Sequence, residues 1–360
     1  MNKISRHLLC KVVGNTALGT KPSGESLTEV CTVLGDDALR GSRISAGEVL
    51  SLSDLCAARS SLKFIGSSLG GLRNGRFSVA TVAVDAVSFP ATVLHGDYVR
   101  FEGQAVHVGN SSMAIRVRVT RDDGQATLKV VATALFHMVC INQDLRPTGA
   151  VPALLLATPA EERWSDTVLT RRHWRSQGAM SSGEGSLLLS TEQLAKDSRD
   201  LVPGRELVSI PSTEITLHRV FFPSHVNMNN TVFGGEIMNW MEKVAATCGR
   251  RFARSHNVQT IAMHNLKFEH PIFTTDWVMA KARVVYVRRT TLEVEVEVFV
   301  ERDGKTFLSH VSCFVLADVS RTVIPKGISV SDDDQESLKK YKDACMRFQW
   351  GVLNRNHMFA

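Results

Sequence analysis

The sequence predicts an α+β protein of two tandem units, each a curved antiparallel sheet wrapped around a central helix, and three observations predict it. One short segment occurs twice, from Gly47 to Asp54 and from Gly235 to Glu242, each copy placing a carboxylate two helical turns after a glycine. Extended segments with apolar residues at every second position follow both copies. The order of helix, strand, proline, aspartate, strand and glycine turn then repeats over roughly a hundred residues, which a chance match of short motifs does not produce.

Taken in order, residues 1–27 read as a leader. Lys3, Arg6, Lys11 and Lys21 stand in a stretch without an acid until Glu25, and Ile4, Leu8 and Val12 fall on one helical face. That is the pattern of a mitochondrial transit peptide, although a frayed terminus has the same composition. The first unit, 28–145, opens with the Gly47 helix. The glycine-rich Gly66–Gly71 lacks the Gly-Lys-Ser/Thr ending of a phosphate loop. Strands follow at Ser78–Val87 and Ser111–Thr120, where Ile115, Val117 and Val119 alternate with Arg116 and Arg118. Asp97 reads as a turn residue, and Asp123-Gly124 supplies the positive φ of a tight hairpin.

A connector, 146–206, begins a helix at Thr158-Pro159-Ala160-Glu161, with proline at the first helical position and glutamate placed for a capping box. A break follows at Ser181–Ser186, and another helix starts at Ser190-Thr191-Glu192-Gln193. The second unit, 207–325, holds a helix apolar nearly all round (Ile237, Met238, Trp240, Met241, Val244), hence a buried one. Its strands are Thr260–Phe268 and Thr290–Val300, and Leu292 to Val300 alternate with Glu293, Glu295 and Glu297 as a half-buried strand does. Asp276 and Asp303-Gly304 repeat the turns of the first unit, and the tail, 326–360, carries a helix over Ser331–Trp350.

The 360 residues, 44% hydrophobic and 22% charged, describe a globular chain with room for two or three cores. No apolar run reaches the ~18 residues of a membrane span, so stable membrane insertion is not expected. Seven scattered cysteines without CxxC spacing read as reduced thiols, mostly buried, with no zinc site. The net charge of +6 is spread along the chain, and the one basic-aromatic run, Arg171 to Arg175, reads as a solvated helix face; no nucleic acid partner is expected. His264 and His270 lack metal-pair spacing and read as structural.

Within each helix, glycine and acid lie ~10 Å apart along the axis, so the acid cannot act on a group bound at its own helix's N-terminus. The other copy's acid can, if the two helices lie antiparallel. Asp54 is thereby assigned to Gly234 and Gly235, and Glu242 to Gly47. Helix N-terminal amides stabilise an oxyanion, Asn227 offers an amide to a water or carbonyl, and a facing acid serves as base or nucleophile. These parts suffice for acyl transfer to water.

The run His225-Val-Asn227, Thr231-Val-Phe233-Gly234-Gly235-Glu-Ile237-Met238-Asn-Trp240-Met241-Glu242 resembles the helix motif of hotdog-fold acyl-CoA thioesterases. The tandem arrangement resembles the animal double-hotdog enzymes. The first half and the connector's Val151-Pro152-Ala-Leu154 and Thr158-Pro159-Ala-Glu161-Glu162 are most similar to the mitochondrial branch, over roughly residues 30–325. The resemblance implies hydrolysis of acyl-CoA to a free acid and CoA, no metal and no cofactor beyond the CoA of the substrate, and homotrimers of double-hotdog chains. It implies a mitochondrial location, with the cytoplasm as the alternative. Arg288, Arg289, Thr290 and Thr291 are the candidates for holding the CoA moiety. A non-catalytic acyl-CoA-binding module on the same fold is the competing reading. The chain departs from the family pattern before Gly47, where Ala46 replaces the first glycine and nothing matches Asn227, so the Asn227/Asp54 site is expected to carry most of the turnover.

Overall fold

The computed structural model describes residues 11–66, 77–122, 128–149, 151–176 and 202–353. Two helices, α1 (Ala46–Gly66) and, much later, α3 (Gly234–Ala253), lie against one continuous sheet. The first half of that sheet is β3 (Thr28–Val33), β4 (Ser78–Ser88), β5 (Tyr98–Val108), β6 (Ser112–Asp122) and β7 (Leu128–Ile141). The second half is β10 (Ile215–Arg219), β11 (Val258–Phe268), β12 (Trp277–Val287), β13 (Thr291–Arg302) and β14 (Lys305–Asp318). The ten strands run in the order β10-β12-β13-β14-β11-β4-β7-β6-β5-β3. Each half is the hotdog arrangement of one helix wrapped by five strands.

The halves join where β11 pairs antiparallel with β4, Met263 opposite Val87 and Leu266 opposite Val84. A tandem repeat thus closes its seam as two separate subunits would, by pairing like strands. Apolar residues of the alternating strands, among them Val117, Val119, Val294, Val296 and Val298, are fully buried against the helices. The hairpin after β13 turns on Asp303 (φ 51°) and Gly304 (φ 70°), the left-handed pair the sequence calls for. Asp123-Gly124 lies outside the described residues, as do residues 1–10, 67–76 and 177–201 with the expected second connector helix.

Three expectations change. Residues 11–26 are not a free leader. Here β1 (Lys11–Val13) and β2 (Thr20–Pro22) flank β8 (Ala153–Leu156) in a small sheet. Lys21 is buried and donates from Nζ to the Phe64 carbonyl at 2.8 Å, while Ser23 Oγ donates to the Ala105 carbonyl at 2.6 Å. Val12 therefore sits in a strand, because β8 offers it a partner that an isolated helix lacks.

The polar row of β13 does not face water. The tail helix α4 (Gln335–Leu353) lies over it, with Lys340 bonded to Glu295 and Glu297, and Arg347 Nε donating to Glu293 Oε1 at 2.8 Å. Glu293 is only 2% exposed. Alternation alone cannot tell water from a charged helix as the second neighbour. The tail is also stitched in by β15 (Lys326–Ser329), which pairs parallel with β9 (Glu206–Ser209), so the tail shares a sheet with the start of the second unit and the boundary between 206 and 207 cuts β9.

Finally, α4 begins at Gln335 rather than Ser331, because Asp334 caps it by accepting from the Ser337 amide at 3.0 Å. The connector helix α2 (Pro159–Ser176) starts where expected: Thr158 Oγ1 accepts from the Glu161 amide at 3.2 Å and Glu161 reaches back to the Thr158 amide at 3.1 Å. It covers the outer face of the first half through Trp164 and Val168.

Candidate active site

The site begins with how closely α1 and α3 approach. A Cβ on Gly47 would stand 2.8 Å from Asn239 Cα, and one on Gly235 would stand 2.8 Å from Ser51 Cα. The contact index rises along one helix as it falls along the other, so the N-terminal halves lie antiparallel with glycine backbone against backbone. Only this closeness brings each helix's acid to the other helix's first turn.

Asp54 is 1% exposed. Thr81 Oγ1 on β4 donates to its Oδ1 at 2.6 Å, while Oδ2 makes no hydrogen bond. The point where a Gly234 Cβ would stand is 2.9 Å from Oδ2. Burial pushes the Asp54 pKa up to about 6, and the Thr81 hydroxyl and the Gly235 N–H each pull against that rise. The Gly235 amide thus faces the carboxyl group without making a full hydrogen bond to Oδ2.

The repeat reproduces this arrangement. Glu242 is 3% exposed, and Thr260 Oγ1 on β11 donates to its Oε1 at 2.7 Å. Burial raises its pKa, against the Thr260 hydroxyl, the positive charge of Arg250 and the Gly47 N–H. Asp54 and Glu242 therefore each lie at the other half's helix start, and no arginine pairs with Asp54 among the described residues. Reading the sequence missed Thr81 and Thr260. They occupy one position of the repeat, early in the strand after each helix, and that coincidence was the available signal.

Asn227 is brought to the same loop, but its oxygen is committed. Oδ1 accepts from the Asn229 amide at 2.8 Å, the Thr231 amide at 3.3 Å and Thr231 Oγ1 at 3.2 Å. Only its Nδ2 is left to meet a substrate, as a donor. Asn229 Nδ2 then donates to the Val79 carbonyl of the first half at 3.2 Å, fixing the loop across the seam. Asp97 and Asp276 are turn residues as expected: each caps its own turn (Leu94 amide to Asp97 at 2.8 Å, Phe273 amide to Asp276 at 2.8 Å) and pairs with an arginine, Arg121 or Arg302.

The expected CoA-holding residues do not join the Asp54 site. Arg288 to Thr291 form the β12–β13 hairpin beside Leu292, which touches Gly249 near the far end of α3. Fifteen helical residues, roughly 22 Å of axis, separate Gly249 from Gly234. The Arg288 guanidinium stacks on Phe348 of α4 at 4.1 Å from the ring centroid, a structural engagement. Arg289 is exposed.

A family model described as the thioesterase superfamily matches residues 43–127 and 229–307, one match in each half. An acyl-coenzyme A thioesterase 11 of Mus musculus is 26% identical over 254 residues, covering 68% of this chain and 40% of that protein. An uncharacterized acyl-CoA thioester hydrolase of Bacillus subtilis is 30% identical over 121 residues, 32% of this chain and 70% of that relative. The chain thus spans well under two thirds of the length of the mouse relative. Among solved structures, a 12:0-ACP thioesterase of Umbellularia californica has a TM-score of 0.50 at 9% identity, over 81% of this chain and 97% of that one; it bears on the fold alone.

Proposed function

This chain belongs to the thioesterase superfamily, and from that premise we propose that it hydrolyses acyl-CoA to a free acid and CoA, chiefly at the Asp54 site. The observation that carries the reading is a buried carboxylate with one oxygen held and the other open. Thr81 fixes Oδ1, and Oδ2 looks onto the glycine start of the neighbouring helix without a partner. Oδ2 either takes a proton from an attacking water or attacks the thioester carbon itself. In both cases the carbonyl oxygen gathers negative charge, for which the first-turn amides and Asn227 Nδ2 are the proposed donors, and the C–S bond breaks to release the CoA thiolate; on the second route water then hydrolyses the acyl–Asp54 anhydride to the free acid and the carboxylate. Single turnover in oxygen-18 water separates the two routes.

The counterpart at Glu242 has Ala46 where the Asp54 site has Gly234, and no asparagine before it. Ala46 carries, at the matching position of the repeat, the methyl that Gly234 lacks, so this second site is proposed as the minor one.

A test is thiol release from acyl-CoAs of several lengths across pH. Activity through Asp54 requires the ionised form, so kcat/KM is expected to rise about tenfold per pH unit below about pH 6 and level off above it. A profile flat from pH 5 to 8 would refute the role of Asp54. CoA binding without any thiol release would favour the non-catalytic module.

The proposal includes a homotrimer. The two ends of the ten-stranded row carry like apolar pairs, Val33 (59% exposed) with Tyr98, and Val220 with Trp277 (53% exposed). End-to-end contact between unlike ends closes a ring of copies. A native mass three times that of the chain is expected, and a monomeric mass contradicts it. The mitochondrial location is likewise proposed, on the basic, acid-free residues ahead of Lys11, with the cytoplasm as the alternative; among the described residues no helix is long and apolar enough to cross a membrane.

A further inference from the structure

The two halves repeat the helix acid, its threonine and the aromatic residue that ends the following strand, yet they differ at one buried position beside that aromatic residue. Phe268 ends β11, as Phe89 follows β4 in the first half. The edge of the Phe268 ring is 3.4 Å from the place of the missing Gly234 Cβ, the same point that lies 2.9 Å from Asp54 Oδ2. Directly across from Phe268 on β14 is His310, with the rings edge to face at 4.9 Å. In the first half the matching residue is Ala132: His310 is paired with Val298 and Ala132 with Val119, each just before a register shift.

His310 is an unusual residue for that wall. It is 1% exposed, and its Nδ1 has no hydrogen-bond partner. Alternation along β14 puts it on the same face as Leu316, which touches Gly249, so the ring lies on the side of the sheet that holds α3. Burial pushes its pKa down to about 3, so the ring is neutral at physiological pH. A buried polar atom without a partner keeps the full cost of its lost hydration. Its persistence one ring away from an open carboxylate oxygen is accounted for if a bound substrate supplies the missing partner. A neutral ring in a dry wall suits a neutral oxygen substituent, because an ionised one would bring an uncompensated charge into the interior. The large, charged CoA must stay toward the surface, so this enclosed wall meets the acyl end.

We propose that His310 is a specificity-determining residue of the Asp54 site, and that the acyl group preferred there carries a hydroxyl or keto oxygen within a few bonds of the thioester carbonyl. Only one ring, Phe268, separates the imidazole from the catalytic edge, which sets that reach. This inference rests on the proposed thioesterase reading of the Asp54 site.

The experiment compares kcat/KM for 3-hydroxyacyl-CoAs with that for the plain acyl-CoAs of equal length, at four and eight carbons, in wild type, His310→Phe and His310→Gln. The wild type is expected to favour the hydroxylated substrate at least tenfold at one length. His310→Phe is expected to remove that preference at least tenfold, and His310→Gln, which keeps a hydrogen-bonding group, to retain part of it. If phenylalanine does not fit, His310→Ala, the residue the first half already carries, replaces it. A wild type without preference, or an unchanged ratio in the apolar variant, overturns the proposal. Asp54→Asn run on both substrates keeps the two readings apart. If it leaves turnover intact, the site assignment has failed; if it abolishes both while the ratio ignores His310, only the present inference has.

Discussion

Asp54→Asn is expected to lower thiol release by about 10²–10⁴ and to stabilise the fold at the same time. Both effects follow from one fact, a carboxyl buried where it gains little for the fold. Its pKa rises from 3.8 in the unfolded chain to about 6 in the folded one. Below about pH 4 the group is protonated in both states and costs nothing. Between pH 4 and 6 the folded state holds a proton that the unfolded state has lost, so stability falls as pH rises. Above pH 6 the full penalty applies, about 3 kcal/mol by linkage. Asparagine carries no such penalty and still accepts from Thr81. Spread over a chain of this length, that predicts a Tm roughly 4 °C above wild type at pH 7.5, shrinking to nothing near pH 4. Glu242→Gln is expected to keep most of the turnover. If it alone abolishes hydrolysis, the working carboxylate sits in the other site; a lower Tm for Asp54→Asn at pH 7.5 would contradict the account of its burial.

The same residue shows what a sequence can and cannot disclose. A glycine and an acid two turns apart, repeated, led to the antiparallel helices and the exchange of carboxylates, because helix geometry forbids the alternative within one helix. The strand pattern disclosed the sheet for a similar reason: an alternation of period two has one structural meaning. Thr81 was not legible, since a hydroxyl in a strand has many uses and only the contact with Asp54 selects one. The role of Glu293 was misread because a charged row looks identical whether water or Lys340 and Arg347 lie above it. The N-terminal stretch was misread through composition, which carries no record of β8 as a partner. Asn227 was legible as to place but not as to which of its atoms remains free. In each case, periodicity along the chain was readable, whereas contacts between distant segments were not.

Three glycines, changed one at a time, should separate the architecture of the helix pair from its chemistry. Gly47→Ala and Gly235→Ala each place a methyl 2.8 Å from a backbone Cα of the opposing helix, Asn239 in one case and Ser51 in the other. Real Cβ atoms do not approach that closely, and backbone cannot rotate out of the way as a side chain can. The helices must separate, which strips contacts from the centre of the core. A loss of about 3 kcal/mol or more is expected for each, beyond the few tenths that alanine returns through helix propensity. Gly234→Ala differs although it is the adjacent residue. The nearest neighbours of its methyl are Asp54 Oδ2 at 2.9 Å and the Phe268 ring at 3.4 Å, both ends of side chains. The first half already tolerates this change, since Ala46 stands there. Its Tm should therefore stay near wild type while thiol release falls at least about tenfold, because the methyl fills the approach to Oδ2. Gly24→Ala, with open space around its Cβ position, serves as the neutral control. Thermal melts and thiol release on the four variants check the whole pattern. If Gly47→Ala and Gly235→Ala melt like the control, the helices are not in backbone contact, and the route by which Asp54 reaches the other half's helix start is lost. If Gly234→Ala is fully active, the open edge of the carboxylate is not where the substrate binds.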